Sequence, residues 1–352
     1  MKEKFLLFII MFLLIGSLNS IYITKANDNN KVVENTNETD FEITNINDLD
    51  YNLMEDVVVE DYSEYSKEII TESDDFIGKI SKVENEITFI DDENNEIKVS
   101  VDDSGLEYDS NDEGTITFVN EESGYSVKNQ ILDGGFRQLF IIESEDSPKE
   151  FKIDVELDEG HKIIEQDGLY FVADNEGEIV YLIGAPWAVD SEGNFINSYY
   201  EVRENTIYQI VKYEGNKYPI TADPLFCKNN DTIDNTNTKW NKNYKPKDYK
   251  EKGTLAVKVR TCAKVYITAN WTLTLGALGL FNNSYAAKMM WDEVKADADY
   301  KKHVKSNQHT SMRNQFICHA VNPGTIWKDS WNLEPYRKQV SLASTYKALC
   351  NP

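Results

Sequence analysis

His319 directly follows Cys318 and shares the last part of the chain with Arg313, Glu334 and Arg337. An imidazole with a carboxylate in reach can take up and return a proton near neutral pH, which makes His319 with Glu334 a candidate acid–base pair. Arg313 and Arg337 complete the candidate catalytic set. The sequence holds no Gly-x-Ser-x-Gly elbow, no His-Glu-x-x-His pair and no glycine loop to cradle a phosphate. A structural histidine held in the core is therefore the preferred reading. In residues 331–337, Arg337 offers a planar fork and Glu334 two acceptor oxygens, the groups of a ligand site. The same two residues make an ion pair in a turn, and that structural reading is again preferred.

The elements that position these groups start with export. Residues 1–4 carry charge, residues 5–15 are an unbroken apolar run, and Thr24, Lys25 and Ala26 close on a small residue. That order is the pattern of a secretory signal peptide. The run is shorter than the roughly 20 residues a spanning helix needs, so cleavage is expected rather than anchoring. In an exported chain, Cys227, Cys262, Cys318 and Cys350 read as disulfides. A zinc site would want paired Cys or His spacings that do not occur. Four cysteines allow three pairings, and spacing does not choose among them. The acidic turn at 109–114 begins like a calcium loop, but the twelfth position is Asn120 where a bidentate Glu is needed. Neither a metal nor a cofactor is expected.

Charge divides the chain sharply. From Cys227 to Pro352 there are 20 Lys and Arg against 10 Asp and Glu, a net of +10. The whole chain stands at −25, so residues 1–226 hold −35. One explanation is a soluble acidic surface beside an ordinary basic domain; the sharper one is that the acidic region masks the basic one until they separate.

The pattern gives five regions: a signal peptide at 1–26, a disordered acidic leader at 27–75, an acidic β region at 76–226, a Lys/Asn-rich linker at 227–253 and a basic α+β domain at 254–352. The leader is too polar to offset its chain entropy. The β region alternates in short runs, such as 79–83, 86–90 and 115–119, between Asp/Asn/Gly turns, which predicts an antiparallel sandwich or meander closed off by Pro219 and Pro224. In the linker, Lys242, Lys245, Lys247, Lys250 and Lys252 invite a trypsin-like protease. Strands are predicted at 255–259 and 264–268. Helices are predicted at 283–299 with a cap at Asn283-Ser284, at 311–319, and at 338–349. The apolar stretch 267–281 reads as core strand plus turn, with a membrane-contacting loop as its alternative.

Two resemblances follow from these residues. Gly184-Ala185-Pro186-Trp187, Tyr199-Tyr200-Glu201-Val202 and Tyr218-Pro219-Ile220-Thr221-Ala222-Asp223-Pro224 make 134–226 similar to the region upstream of the mature peptide in closticin-type bacteriocin precursors. Trp291-Asp292-Glu293-Val294, Met312-Arg313-Asn314-Gln315-Phe316-Ile317-Cys318-His319, Trp331 to Arg337 and the terminal Cys350-Asn351-Pro352 resemble a domain of unknown function, number 2599, of exported actinobacterial proteins. That likeness implies a fold and a pairing of Cys318 with Cys350, and leaves Cys227 and Cys262 outside its pattern. A Cys318–Cys350 bridge contributes roughly 3–4 kcal/mol on the chain-entropy model.

Together these readings favour the precursor of a secreted antibacterial or toxin-like protein. Its expected partners are an anionic bacterial envelope or membrane surface and its own acidic pro-region. The alternatives are a secreted hydrolase, such as a nuclease, using His319 and Glu334, and a non-catalytic envelope-binding module. Nothing in the sequence specifically supports a nucleic-acid partner.

Overall fold

A computed structural model describes residues 59, 62–65, 67–101, 105–246, 250, 252–270 and 275–352. The expected signal peptide, most of the expected leader and Lys247 lie outside them.

Alternating apolar residues with Asx turns build two antiparallel sheets. The first has eight strands, ordered in space Ser63–Glu64, Glu68–Glu72, Phe76–Ser81, Glu86–Asp91, Glu96–Ser100, Glu150–Leu157, Thr206–Lys212 and Asn197–Arg203. The main path of the second runs Lys162–Gln166, Leu169–Ala173, Ile179–Ile183, Leu225–Lys228, Gly135–Ile142, Tyr125–Leu132, Thr115–Asn120 and Glu107–Asp112. Ile80, Phe89, Val99 and Ile153 of the first face Phe118, Val127, Phe136 and Phe226 of the second. Turns are shaped by side chains: the Asp190 carboxylate accepts from the backbone of Glu192 and Asn194, as Asx turns do.

The second sheet is buried on both faces. Phe136, Phe140 and Phe226 point into the sandwich, while Leu132, Leu139, Leu182, Leu225 and Cys227 point the other way, into a second core. That core is completed by the helices of the C-terminal unit: α1 (Thr261–Asn270), α2 (Leu275–Asn283), α3 (Tyr285–Ala296), α4 (Ala298–His303), α5 (His309–Val321) and α6 (Leu342–Lys347). A small third sheet joins them, ordered Lys239–Asn241, Thr254–Val257 and Trp331–Leu333. Val257, Val265, Tyr266, Met290, Trp291, Phe316 and Trp331 share one apolar cluster with the sandwich residues. The layers are therefore sheet, sheet, helices.

Several expectations change. Residues 68–75 were assigned to the disordered leader, yet Glu68–Glu72 pairs in register with Phe76–Ser81 because Ile69 and Thr71 are buried. The β region does not stop at Pro224. Ile220–Asp223 and Leu225–Lys228 pair in succession with the same strand, Gly135–Ile142, and Pro224 is only an interruption between them. Residues 264–268 form the middle of α1, not a strand. Every residue from Cys262 to Ile267 is buried, and a helix covered all round loses the polar stripe that would have betrayed its period. The cap at Ser284 is present, its hydroxyl accepting from Ala287, but α3 ends at Ala296 and α4 starts anew on the cap Asp297.

The expected linker is packed over its first half. Cys227 lies in a central strand and bonds to Cys262 at the start of α1; Thr232, Ile233 and Asp234 are buried. Among the described residues its exposed lysines are Lys239, Lys242, Lys245, Lys250 and Lys252. At Gly135, opposite Cys227, an added Cβ would collide with the Phe226 carbonyl and the Cys262 sulfur. Only glycine admits the bridge at that point.

Candidate functional site

His319 lies in the last turn of α5, 2% exposed, its ring against Trp331 with centroids 6.2 Å apart. Burial, then the positive charge of Lys328, push its pKa down to about 4, against a weaker opposing pull from the Asn332 backbone. Glu334 is also fully buried. Its backbone is clasped by Gln315, which accepts from the Glu334 N–H at 2.8 Å and donates to its carbonyl at 3.0 Å. Its carboxylate accepts from Arg337 Nε, and the hydroxyls of Tyr244 and Tyr336 reach the same group. Among the described residues no hydrogen bond or ion pair joins His319 to Glu334. The structure thus brings Glu334 and Arg337 together and leaves His319 apart. Arg313 is elsewhere again, donating to the Asn282 carbonyl at 2.9 Å and to its side chain, which ties α5 to the end of α2. Two clefts, of about 820 and about 210 Å³, are lined by none of these four residues.

The chemistry that sequence reasoning missed is concentrated where the sandwich meets the C-terminal unit. Arg260, with its side chain 8% exposed, donates Nε to Asp231 at 2.8 Å and Nη1 to Asp133 at 2.7 Å, and its Nη2 reaches Asp75. Lys228 pairs with Asp92 beside it. Above them, Glu293 of α3 accepts from Thr232 N at 2.9 Å, Thr232 Oγ1 at 2.8 Å and Ile233 N at 3.0 Å. Burial pushes the Glu293 carboxyl up to about 7. It pushes Asp231 up to about 6 against the pull of Arg260. No motif marks such a cluster, because its members are far apart in sequence.

These shifts predict opposed pH dependences. Glu293 binds its proton more tightly folded than its ordinary 4.5, so its contribution to stability is full below that pH and is lost as pH rises through about 7. Asp231 has the same sign. His319 is depressed from 6.5, so its contribution is full above 6.5 and is lost as pH falls through about 4. Each of the larger shifts corresponds to a few kcal/mol, about 1.4 per pKa unit. Glu293→Gln is expected to make urea-unfolding stability fall more steeply than wild type between pH 6.5 and 4.5, and His319→Phe less steeply. Parallel profiles for all three proteins would contradict this.

Residues 271–352 match the family described as "Protein of unknown function (DUF2599)". The DUF2599 segment takes in α2 to α6, the strand Trp331–Leu333 and the bridge Cys318–Cys350. It begins after α1, so two strands of the third sheet and the Cys227–Cys262 bridge lie outside it. No curated protein and no solved structure matches the chain. Among the described residues no helix is long and apolar enough to cross a membrane.

Proposed function

We propose that the chain is an exported antibacterial or toxin-like protein in which the cationic C-terminal unit, containing the DUF2599 segment, acts on the anionic bacterial envelope. The acidic β region serves as its pro-segment. The observation that carries this reading is where the charges sit. The C-terminal unit is net +10, and across the junction only Lys228 and Arg260 form ion pairs with acids of residues 59–226 among the described residues. The exposed lysines of the unit face outward. The acidic half therefore restrains them through the net charge of the whole chain, −25, which opposes approach to an anionic surface within a Debye length of about 8–10 Å. Supporting it is the N-terminal export pattern, residues 1–26. The hydrolase reading has no comparable support, since among the described residues no hydrogen bond or ion pair joins His319 to Glu334.

Intact protein, protein cut in the lysine loop, and cut protein with the Cys227–Cys262 bridge opened should be compared for inhibition of Gram-positive indicator cells. Only the last is expected to gain potency, by tenfold or more. Equal potency of the intact chain, or no inhibition by any form, would overturn the assignment.

A further inference from the structure

Resting on that reading, we propose that the corner formed by the strand Lys239–Asn241 and helix α4 is the docking surface for a phosphodiester polymer of the bacterial wall, a flexible polyol-phosphate chain. The strand is the outer edge of the third sheet, and α4 packs against it. Trp240 stacks flat on His303, centroids 4.5 Å apart and planes at 6°, and the Trp240 N–H donates to Asp299 at 2.7 Å. This pins two stretches of chain nearly sixty residues apart into one ridge.

The ridge is basic. Lys239 and Lys242 are exposed along the strand and its turn, and Lys301, Lys302 and Lys305 are exposed at the end of α4 and just beyond it. Among the described residues none of these five forms an ion pair, while the nearby Asp299 is occupied by Trp240 and by His303 at 3.9 Å. Unpaired lysines are compact, hydrated point charges, suited to successive phosphates without a fixed fork geometry.

Charge alone would also attract a bilayer or a nucleic acid, but the side chains favour neither. The large hydrophobic residues exposed among the described residues are Tyr65, Val83, Tyr108, Phe195, Leu280 and Leu349. None belongs to this corner, so nothing there would insert between lipids. Single-stranded nucleic acid binds by stacking bases on free aromatic faces, and the two rings here stack on each other. A linear chain of phosphates with no bases and no apolar phase is what remains.

The test uses full-length protein, in which the strand and α4 stay joined, and lipid-free poly(glycerol phosphate) in calorimetry; a slender chain reaches the ridge without bringing a charged surface up to the acidic half, whose repulsion fades within about a Debye length. Binding is expected, weakening roughly tenfold or more between 50 and 200 mM salt as counterions are released. Lys301→Glu with Lys302→Glu and Lys305→Glu should lower affinity at least tenfold, while Lys288→Glu, on α3, should change it less than twofold. Unchanged binding by the triple variant would overturn the surface. Tighter binding to phosphatidylglycerol vesicles or to single-stranded DNA at equal phosphate would overturn the partner. If the cut, bridge-opened protein inhibits cells while the full-length protein ignores the polymer, this docking surface alone is refuted; if neither happens, the envelope reading is refuted as well.

Discussion

Trypsin should convert the oxidised protein into two pieces that migrate as one species until a thiol is added. Lys242, Lys250 and Lys252 are exposed and lie between Cys227 and Cys262, whose bridge therefore joins the pieces on either side of any such cut. The other bridge, Cys318–Cys350, is confined to the C-terminal piece. Non-covalent contacts reinforce the first bridge. The N-terminal piece keeps the strand Lys239–Asn241, which pairs with Thr254–Val257 of the other piece, and it keeps Thr232 and Ile233, which donate to Glu293. Both cysteines of the joining bridge are 1% exposed, so thiol attack is expected to need mild denaturant. The double variant Cys227→Ser, Cys262→Ser supplies a bridge-free control. Cut, it should be a single species in concentrated solution and separate on dilution, because the loss of the link removes an effective concentration in the millimolar range. Separation of the oxidised, cut wild type on a non-reducing gel would contradict this topology.

Arg260→Met should cost about 3–5 kcal/mol of unfolding free energy, the usual penalty for stranding a buried ion-pair partner. Three carboxylates converge on this guanidinium: Asp75 and Asp133 from the sandwich and Asp231 from the connecting segment. With it gone, Asp231 is left buried with no countercharge but Lys228, and its pKa should rise further from about 6. Arg260→Lys should recover only part of the loss, since an ammonium cannot fork to three acceptors in fixed directions. Urea titration at pH 8 measures both, and a loss below about 1 kcal/mol in Arg260→Met would show the cluster to be an ordinary surface network.

How much of this was legible in the sequence depended on whether an element kept one wet face. Strands of the first sheet do, and Glu86–Asp91 and Glu96–Ser100 show alternating burial that the residue pattern announces. Gly135–Ile142 is buried almost throughout, with even the consecutive polar residues Arg137 and Gln138 fully covered, so no wet face marks it. Helix α1 failed for the same reason. The segment 227–241 looked like a linker because Lys and Asn dominate it, but Asn229 donates its side-chain amide to the Ile179 carbonyl of the second sheet, and Asp234 accepts from the backbone and side chain of Asn237. The pairing of Cys318 with Cys350 was implied by resemblance to a family; that of Cys227 with Cys262 required the second sheet to be placed against α1. At the candidate site the Glu334–Arg337 pair was visible at a spacing of three. The convergence on Arg260 was not, because Asp75 and Asp133 approach it from 185 and 127 residues away.

One apolar cluster runs from Leu139 and Leu225 in the sandwich to Phe316 and Trp331 among the helices, so the basic unit is built onto the acidic one. Calorimetry of the intact, oxidised chain tests this most directly. A single cooperative endotherm, lost as a whole in Arg260→Met at a lower temperature, is expected. Two separate endotherms, with only one of them moved by that substitution, would mean that the halves are independent bodies.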